Sequence, residues 1–251
     1  MLLHEITSPR RLRHILRDLS ARRRQEAERL ALERRLASAQ HYESLGVLAG
    51  GVAPVDRRQL AKRFSLAVAL AAVGSSVLVL SIFGARPDLR TVIETPLFWG
   101  KIAFPLCLGL GALGMVTRLA RPGMSPGAGR WLAGAGVLVV WLAGVYALIL
   151  AAPETRAAMI FGKTWKVCAI NIVLLSIPGY ISIFWALRGM APTRLRLAGA
   201  SGGLLAGSLA TIAYCLHCPE MEIPFWGVWY LLGLLLSTAI GALIGPRVLR
   251  W

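Results

Sequence analysis

The stretch "LAGASGGLLAGSLATIAYCLHCPEMEIPFWGVWYLLGLLLSTAIGALI" (197–244) decides the fold. Two apolar runs flank a short gap that holds Cys215, His217, Cys218, Glu220 and Glu222. Each run is of the length, about 20 residues, that a helix needs to cross a bilayer core of about 30 Å. The reactive side chains are thus confined to a connection between two membrane-crossing helices.

Working outward, the rest of the chain repeats the pattern. Of 251 residues, 56% are hydrophobic, against about 45–50% in ordinary soluble domains. Apolar runs predict six transmembrane helices: Phe64 to Gly84, Leu97 to Leu119, Trp131 to Ala151, Lys166 to Leu187, Leu197 to Leu216, and Ile223 to Ile244. Pro87, Pro96, "RPGMSPGAG" (121–129), Pro153, Pro192 and Pro219 punctuate the connections. The expected fold is therefore all-α and polytopic, with an arginine-rich amino-terminal helix.

A net charge of +16 in a soluble chain would suggest nucleic acid. Here the cations alternate by connection. Arg57, Arg58, Lys62 and Arg63 precede the first span, Arg118, Arg121 and Arg130 follow the second, Arg188, Arg194 and Arg196 follow the fourth, and Arg247 and Arg250 close the chain. In the alternate connections Arg86 and Arg90 are offset by Asp88 and Glu94, and the last of them carries only His217, Glu220 and Glu222. Positive residues mark the cytoplasmic side, so both termini are expected in the cytoplasm, with the first span acting as an uncleaved anchor.

Residues 1–43 are expected to form a basic helical extension and 44–63 a cytoplasmic docking segment ahead of a six-helix domain, 64–251. In "SPRRLRHILRDLSARRRQEAERLALERRLASAQ" (8–40), Leu12, Ile15, Leu16 and Leu19 recur with helical period beside an arginine-rich face. A solvated helix, a membrane-surface helix and a docking helix all fit that pattern. No DNA-binding motif accompanies the charge, and no direct nucleic-acid partner is expected. Arg57 and Arg58 are placed either to anchor the first helix at headgroups or to grip carboxylates of a partner.

The spans hold no carboxylate, which argues against ion-coupled transport. Lys101 and Lys166 are expected near the membrane boundary, snorkelling to water. Asn171 is the main uncharged polar group inside a span. Gly199, Gly203 and Gly207, like Gly241 and Gly245, stand four apart, a spacing for close helix packing. Cys107, in mid-span, is expected as a buried packing residue.

Cys168, Cys215 and Cys218 stand at similar chain distances from the turn at Pro192, so at about 1.5 Å per residue they lie within about 5 Å in height. In the expected orientation all three face the oxidising compartment, where paired thiols form a disulfide or capture a thiophilic metal. Packing cysteines, a redox or metal-responsive pair and a catalytic thiol all remain open on spacing alone. "CLHC" lacks the histidine after its second cysteine that c-type haem needs. A zinc site there would need Glu220 or Cys168 as an added ligand. No cofactor is expected.

The chain resembles the NrsF-like six-span membrane anti-sigma factors over roughly residues 44–251. The resemblance rests on "APVDRRQL" (53–60), "FWGKIAF" (98–104), "RLARPG" (118–123), "LSIPGY" (175–180), "LRGMAPTRLRLAGASGGLLAG" (187–207), "LHCPEMEIPFWGVWY" (216–230) and "GPRVLRW" (245–251). It implies a bacterial inner-membrane protein, not an enzyme, that sequesters an extracytoplasmic-function sigma factor. It also implies release of that factor when periplasm-facing cysteines meet oxidant or heavy metal. By motif the sensing positions are Cys168 and Cys218, with Cys215 and His217 secondary, and the sigma-factor-binding pair is Arg57 and Arg58. A quinone-coupled membrane thiol oxidoreductase is the alternative from another class.

Overall fold

The computed structural model describes residues 57–190 and 192–250, together with positions 26, 28, 30 and 33. The chain divides into two units, Met1–Pro54 and Val55–Trp251. Of the expected basic extension, Glu26, Glu28, Leu30 and Glu33 are helical and exposed; the rest of it, and the docking segment up to residue 56, lie outside the described residues.

In the second unit the helices are α1 (Arg57–Ile82), α2 (Leu89–Val92), α3 (Pro96–Leu119), α4 (Gly129–Leu150), α5 (Pro153–Phe161), α6 (Trp165–Leu175), α7 (Ile177–Arg188), α8 (Leu195–Tyr214), α9 (Ile223–Phe225) and α10 (Leu231–Val248). A single π-helical turn, Trp226–Tyr230, joins α9 to α10. Six stretches are long and apolar enough to cross a membrane, at Arg58–Ile82, Pro96–Leu119, Gly129–Leu150, Pro153–Arg188, Leu195–Tyr214 and Ile223–Val248. No strand occurs among the described residues.

The expected spans are all present, with two differences of form. The first helix begins at Arg57 rather than Phe64, because hydropathy marks the apolar core of a helix and not its charged extension. The fourth is three helices in series. Gly162, at φ 52°, adopts a backbone that favours glycine and breaks α5 from α6. Pro178, near the start of α7, lacks the N–H that would continue α6.

α8 is the central helix, packed against α1, α3, α6, α7 and α10. Its small residues explain how. A β-carbon on Gly207 would come 2.8 Å from Ser237 Cβ, one on Gly245 2.6 Å from the Leu195 carbonyl, and one on Gly241 2.9 Å from Gly203 Cα. The expected glycine seam therefore brings the backbones of α8 and α10 together. An adjoining face meets α7, where Gly202 lies against Leu187, Phe184 and Ile183.

The basic connections gather at one end of the bundle. Arg63 donates to the Gly189 carbonyl at 3.3 Å and stacks over Trp185, while the Gly123 amide donates to the Thr193 hydroxyl at 3.2 Å. Arg58, Arg118, Arg130, Arg188, Arg194 and Arg247 are exposed there. At the opposite end the Arg86 amide donates to the Leu216 carbonyl at 3.0 Å. Beneath it lies a second buried cluster that includes Phe104, Cys168, Ile172, Cys215, Cys218 and Tyr230.

Candidate functional site

Three of the four cysteines meet in that second cluster. Cys168 lies in the first turn of α6, Cys215 caps the end of α8, and Cys218 follows a turn held by the Cys218 amide on the Tyr214 carbonyl at 2.9 Å. All three are fully buried thiols without a disulfide. Cys168 and Cys218 are buried in this same cluster, with their thiols near enough to act on each other. Cys215 instead turns its thiol toward the Lys101 carbonyl, 3.8 Å away.

The loop that carries Cys218 is held from several sides. The Lys101 ammonium donates to the carbonyls of Cys218 at 2.7 Å and Glu220 at 2.8 Å. Arg86 donates to the same Cys218 carbonyl at 3.3 Å and is forked on Asp88, with both contacts at 2.7 Å. The Glu220 carboxylate accepts from the amides of Lys163 at 2.7 Å and Thr164 at 3.0 Å, and from the Thr164 hydroxyl at 3.1 Å. Trp226 adds its indole N–H to the Glu220 carbonyl at 3.3 Å.

The π-helical turn completes the enclosure by burying Trp226, Gly227 and Tyr230. Such wide turns occur often at functional sites. The Tyr230 hydroxyl is buried without a hydrogen-bond partner, in the same cluster as Cys215 and Cys218. Lys101 Nζ stands 5.7 Å from the centre of its ring.

Charge shapes the chemistry. The Cys168 thiol, helped by the Lys101 and Tyr230 groups, holds the Cys218 thiol below its ordinary range against the opposing effect of burial. A lowered thiol is the more nucleophilic partner at neutral pH. The Arg86 fork holds the Asp88 carboxyl below the usual carboxylate range, and Asp88 in turn raises Arg86.

Several expectations need correction. Lys101 does not snorkel: it is fully buried, because two loop carbonyls solvate its ammonium in place of water. Lys166 does reach the exterior, over the Trp165 ring at 5.6 Å. Cys107 is only half-buried; its thiol faces the Leu132 carbonyl at 3.4 Å on the wall of an apolar groove of about 540 Å³. Glu220 spends its carboxylate on backbone amides, and no group of three His, Cys, Asp or Glu among the described residues is placed to hold a metal ion. The zinc alternative at "CLHC" therefore has no ligand set.

His217, half-buried, directs Nδ1 at the Gly84 carbonyl, 3.1 Å away, and packs against Phe83. Asn171 donates to the Tyr214 hydroxyl at 3.3 Å. Arg57 and Arg58 open α1 at the arginine-rich end; Arg58 is exposed. The structure thus brings Cys168 and Cys218 together and keeps the arginine pair at the other end of the bundle.

Sequence reasoning missed Lys101, Glu220 and Tyr230 as parts of this site. For Lys101 a signal was present, since an ionisable residue within a membrane span marks a functional site by default.

The family model described as "Negative regulator of sigma F" (NrsF) matches residues 48–251. The chain is 42% identical over 205 residues to the probable anti-sigma-F factor NrsF of Azospira oryzae (strain ATCC BAA-33 / DSM 13638 / PS), covering 82% of this chain and 96% of that protein. It is 41% identical over 195 residues to the anti-sigma-F factor NrsF of Caulobacter vibrioides (strain NA1000 / CB15N), covering 76% and 89%. No solved structure matches. With a buried thiol pair at one end of six apolar helices and an arginine-rich opposite end, and with these matches along nearly all of the described bundle, the chain belongs to the NrsF family of regulatory proteins.

Proposed function

We propose that this protein is an anti-sigma factor of the bacterial inner membrane that holds an extracytoplasmic-function sigma factor at its arginine-rich end and releases it when Cys168 and Cys218 are joined by oxidation. Both termini and the arginine-rich end lie in the cytoplasm in this reading, and the thiols face the periplasm. The distribution of cations along the chain supports that orientation. Its relatives' names supply the sigma-factor partner.

The observation that carries the trigger is that the Cys168 and Cys218 thiols, neither in a disulfide, are buried together in one cluster. Two thiols buried in one cluster need little rearrangement to bond, and in an oxidising compartment that bond persists. The opposite end supplies the grip: Arg57 and Arg58, in the docking segment 44–63, suit carboxylates of the partner.

Co-purification of the detergent-solubilised protein with the sigma factor tests this. The complex is expected to survive under reducing conditions and to dissociate on treatment with a hydroperoxide. Dissociation that persists in Cys168→Ser or Cys218→Ser would refute the thiol-pair trigger, and failure to bind in the reduced state would refute sequestration. A parallel arm with a thiophilic cation tests the heavy-metal branch.

A further inference from the structure

Lys101 stands out as a cation without an acid. It is fully buried, and two of its N–H groups are directed at the Cys218 and Glu220 carbonyls, 2.7 and 2.8 Å away. Arg86, by contrast, is ion-paired with Asp88 at 2.7 Å. The two cations that converge on the Cys218 carbonyl therefore differ: Arg86 carries its own counter-charge and Lys101 does not.

The surrounding groups narrow the choice. Asp88 is committed to Arg86 through both oxygens, and the Glu220 carboxylate is turned to the amides before α6. His217 faces Gly84. Tyr214 accepts from Asn171, Tyr230 presents its ring to Lys101, and Cys215 faces a carbonyl. Cys168, on α6, is buried in the same cluster as Cys218. A buried, uncompensated ammonium is strongly disfavoured, and the remaining acid beside it is the thiol of Cys218, the residue whose carbonyl Lys101 holds at 2.7 Å.

We propose that Cys218 supplies this counter-charge: in the reduced protein its sulfur stands as a thiolate paired with the Lys101 ammonium, with the Cys168 thiol donating to it. The Cys218 proton leaves to solvent, and the pair is neutral overall. The direction in which its surroundings move the Cys218 thiol agrees. Lys101 is a positioning residue that acts through the sulfur.

This deepens the oxidant-sensing reading and rests on it for its consequence in the cell. When a hydroperoxide oxidises the pair, its O–O bond breaks and it takes two electrons. The Cys168–Cys218 S–S bond forms, and the Cys168 proton and the thiolate's negative charge leave with an alcohol, or water, and hydroxide. Lys101 is then left buried without a counter-charge, so the same step that makes the disulfide weakens the clamp on the loop from Cys218 to Glu220. Oxidation is read as a loss of charge as well as a new bond.

Ultraviolet thiolate absorbance of the full chain in detergent, fully reduced and without sigma factor or oxidant, tests the pairing. The wild type is expected to show thiolate absorbance at neutral pH that Cys218→Ser removes. Lys101→Met is expected to move its appearance upward by about one pH unit or more, and Lys101→Arg to restore it. Equal absorbance in wild type and Cys218→Ser would overturn the proposal, as would an unchanged pH profile in Lys101→Met. The first comparison stands even where Lys101→Met does not fold. Because neither partner nor oxidant is present, a negative result here is distinct from failure of the sensing reading.

Discussion

The Glu220 carboxylate takes the Thr164 amide at 3.0 Å and the Thr164 hydroxyl at 3.1 Å, so the loop that carries Cys218 also caps the helix that carries Cys168. The first four N–H groups of a helix lack partners within it, and an anion there is stabilised by the aligned peptide dipoles. One side chain thereby fixes the two sulfur-bearing elements to each other. A β-carbon on Gly162 would come within 2.5 Å of that carboxylate, and its φ of 52° is one that other residues adopt rarely.

Glu220→Ala is accordingly expected to cost about 1.5–3 kcal/mol, the contribution of a hydrogen bond to a charged group. It is also expected to slow disulfide formation, because Cys168 and Cys218 lose their shared support. Hydrogen exchange at the Lys163 and Thr164 amides should accelerate, and Gly162→Ala should produce the same change by displacing the carboxylate. Unchanged exchange at those amides in both variants would show that the cap does not hold α6.

Oxidation should depend on pH in a definite direction. The folded Cys218 thiol lies below its ordinary range, so its thiolate is present at neutral pH and is lost as pH falls through the lowered value. By linkage the same group contributes stability that is fully present above its unfolded value and disappears on acidification. The rate of hydroperoxide oxidation is therefore expected to be flat near neutrality and to fall in mild acid. Removing the largest cause, the Cys168 thiol, should move the fall to higher pH, which the alkylation rate of Cys218 in Cys168→Ala would report. A profile that keeps rising through the ordinary thiol range in the wild type would contradict the lowered thiol.

Much of this architecture was legible in the residues because its signals are local. Apolar length marked each span, and the glycines four apart in α8 and α10 announced the backbone contact that the structure contains. The near-equal distance of Cys168 and Cys218 from Pro192 placed both sulfurs at one depth. Lys101 was not legible in the same way. Its acceptors are 117 and 119 residues distant in the chain, and a lysine one turn inside a helix is ordinarily free to extend to water. The division of the fourth span depended on Gly162 taking a positive φ, which a single glycine among 26 does not signal. The role of Glu220 depended on that same break, since only a helix beginning at Trp165 offers amides to cap.

The α8–α10 seam yields a stability prediction with an internal control. A β-carbon on Gly203 would meet the Ser237 carbonyl and lie 3.1 Å from Gly241 Cα. Backbone cannot yield as a flexible side chain does, so Gly203→Ala is expected to cost about 1–3 kcal/mol, the usual range for overpacking. Gly100 has nothing within 4 Å of its β-position, and Gly100→Ala should be neutral or stabilising by about 0.5–1 kcal/mol through helix propensity. Thermal unfolding in detergent would separate the two. Equal melting temperatures would mean that the seam is not closely packed in solution.

Arg57 and Arg58 occupy the first turn of α1, which contains no acidic residue. Cations at a helix N-terminus oppose the peptide dipole by about 0.3–1 kcal/mol each, so the helix dipole does not account for the pair. Headgroup anchoring and partner binding do, and they predict different losses. If the pair grips carboxylates of a sigma factor, the loss in Arg57→Ala with Arg58→Ala should appear in partner binding. Affinity for the partner should fall by about tenfold or more, the 1.4 kcal/mol that corresponds to losing a charge-assisted contact. Double replacement by Lys should restore charge and salt dependence but only part of the affinity, because an ammonium cannot match the guanidinium fork on a carboxylate. If the pair serves only as an anchor, the alanine variant keeps its affinity in detergent and loses stability in bilayers. Binding measured in detergent and unfolding measured in vesicles decide between the two roles.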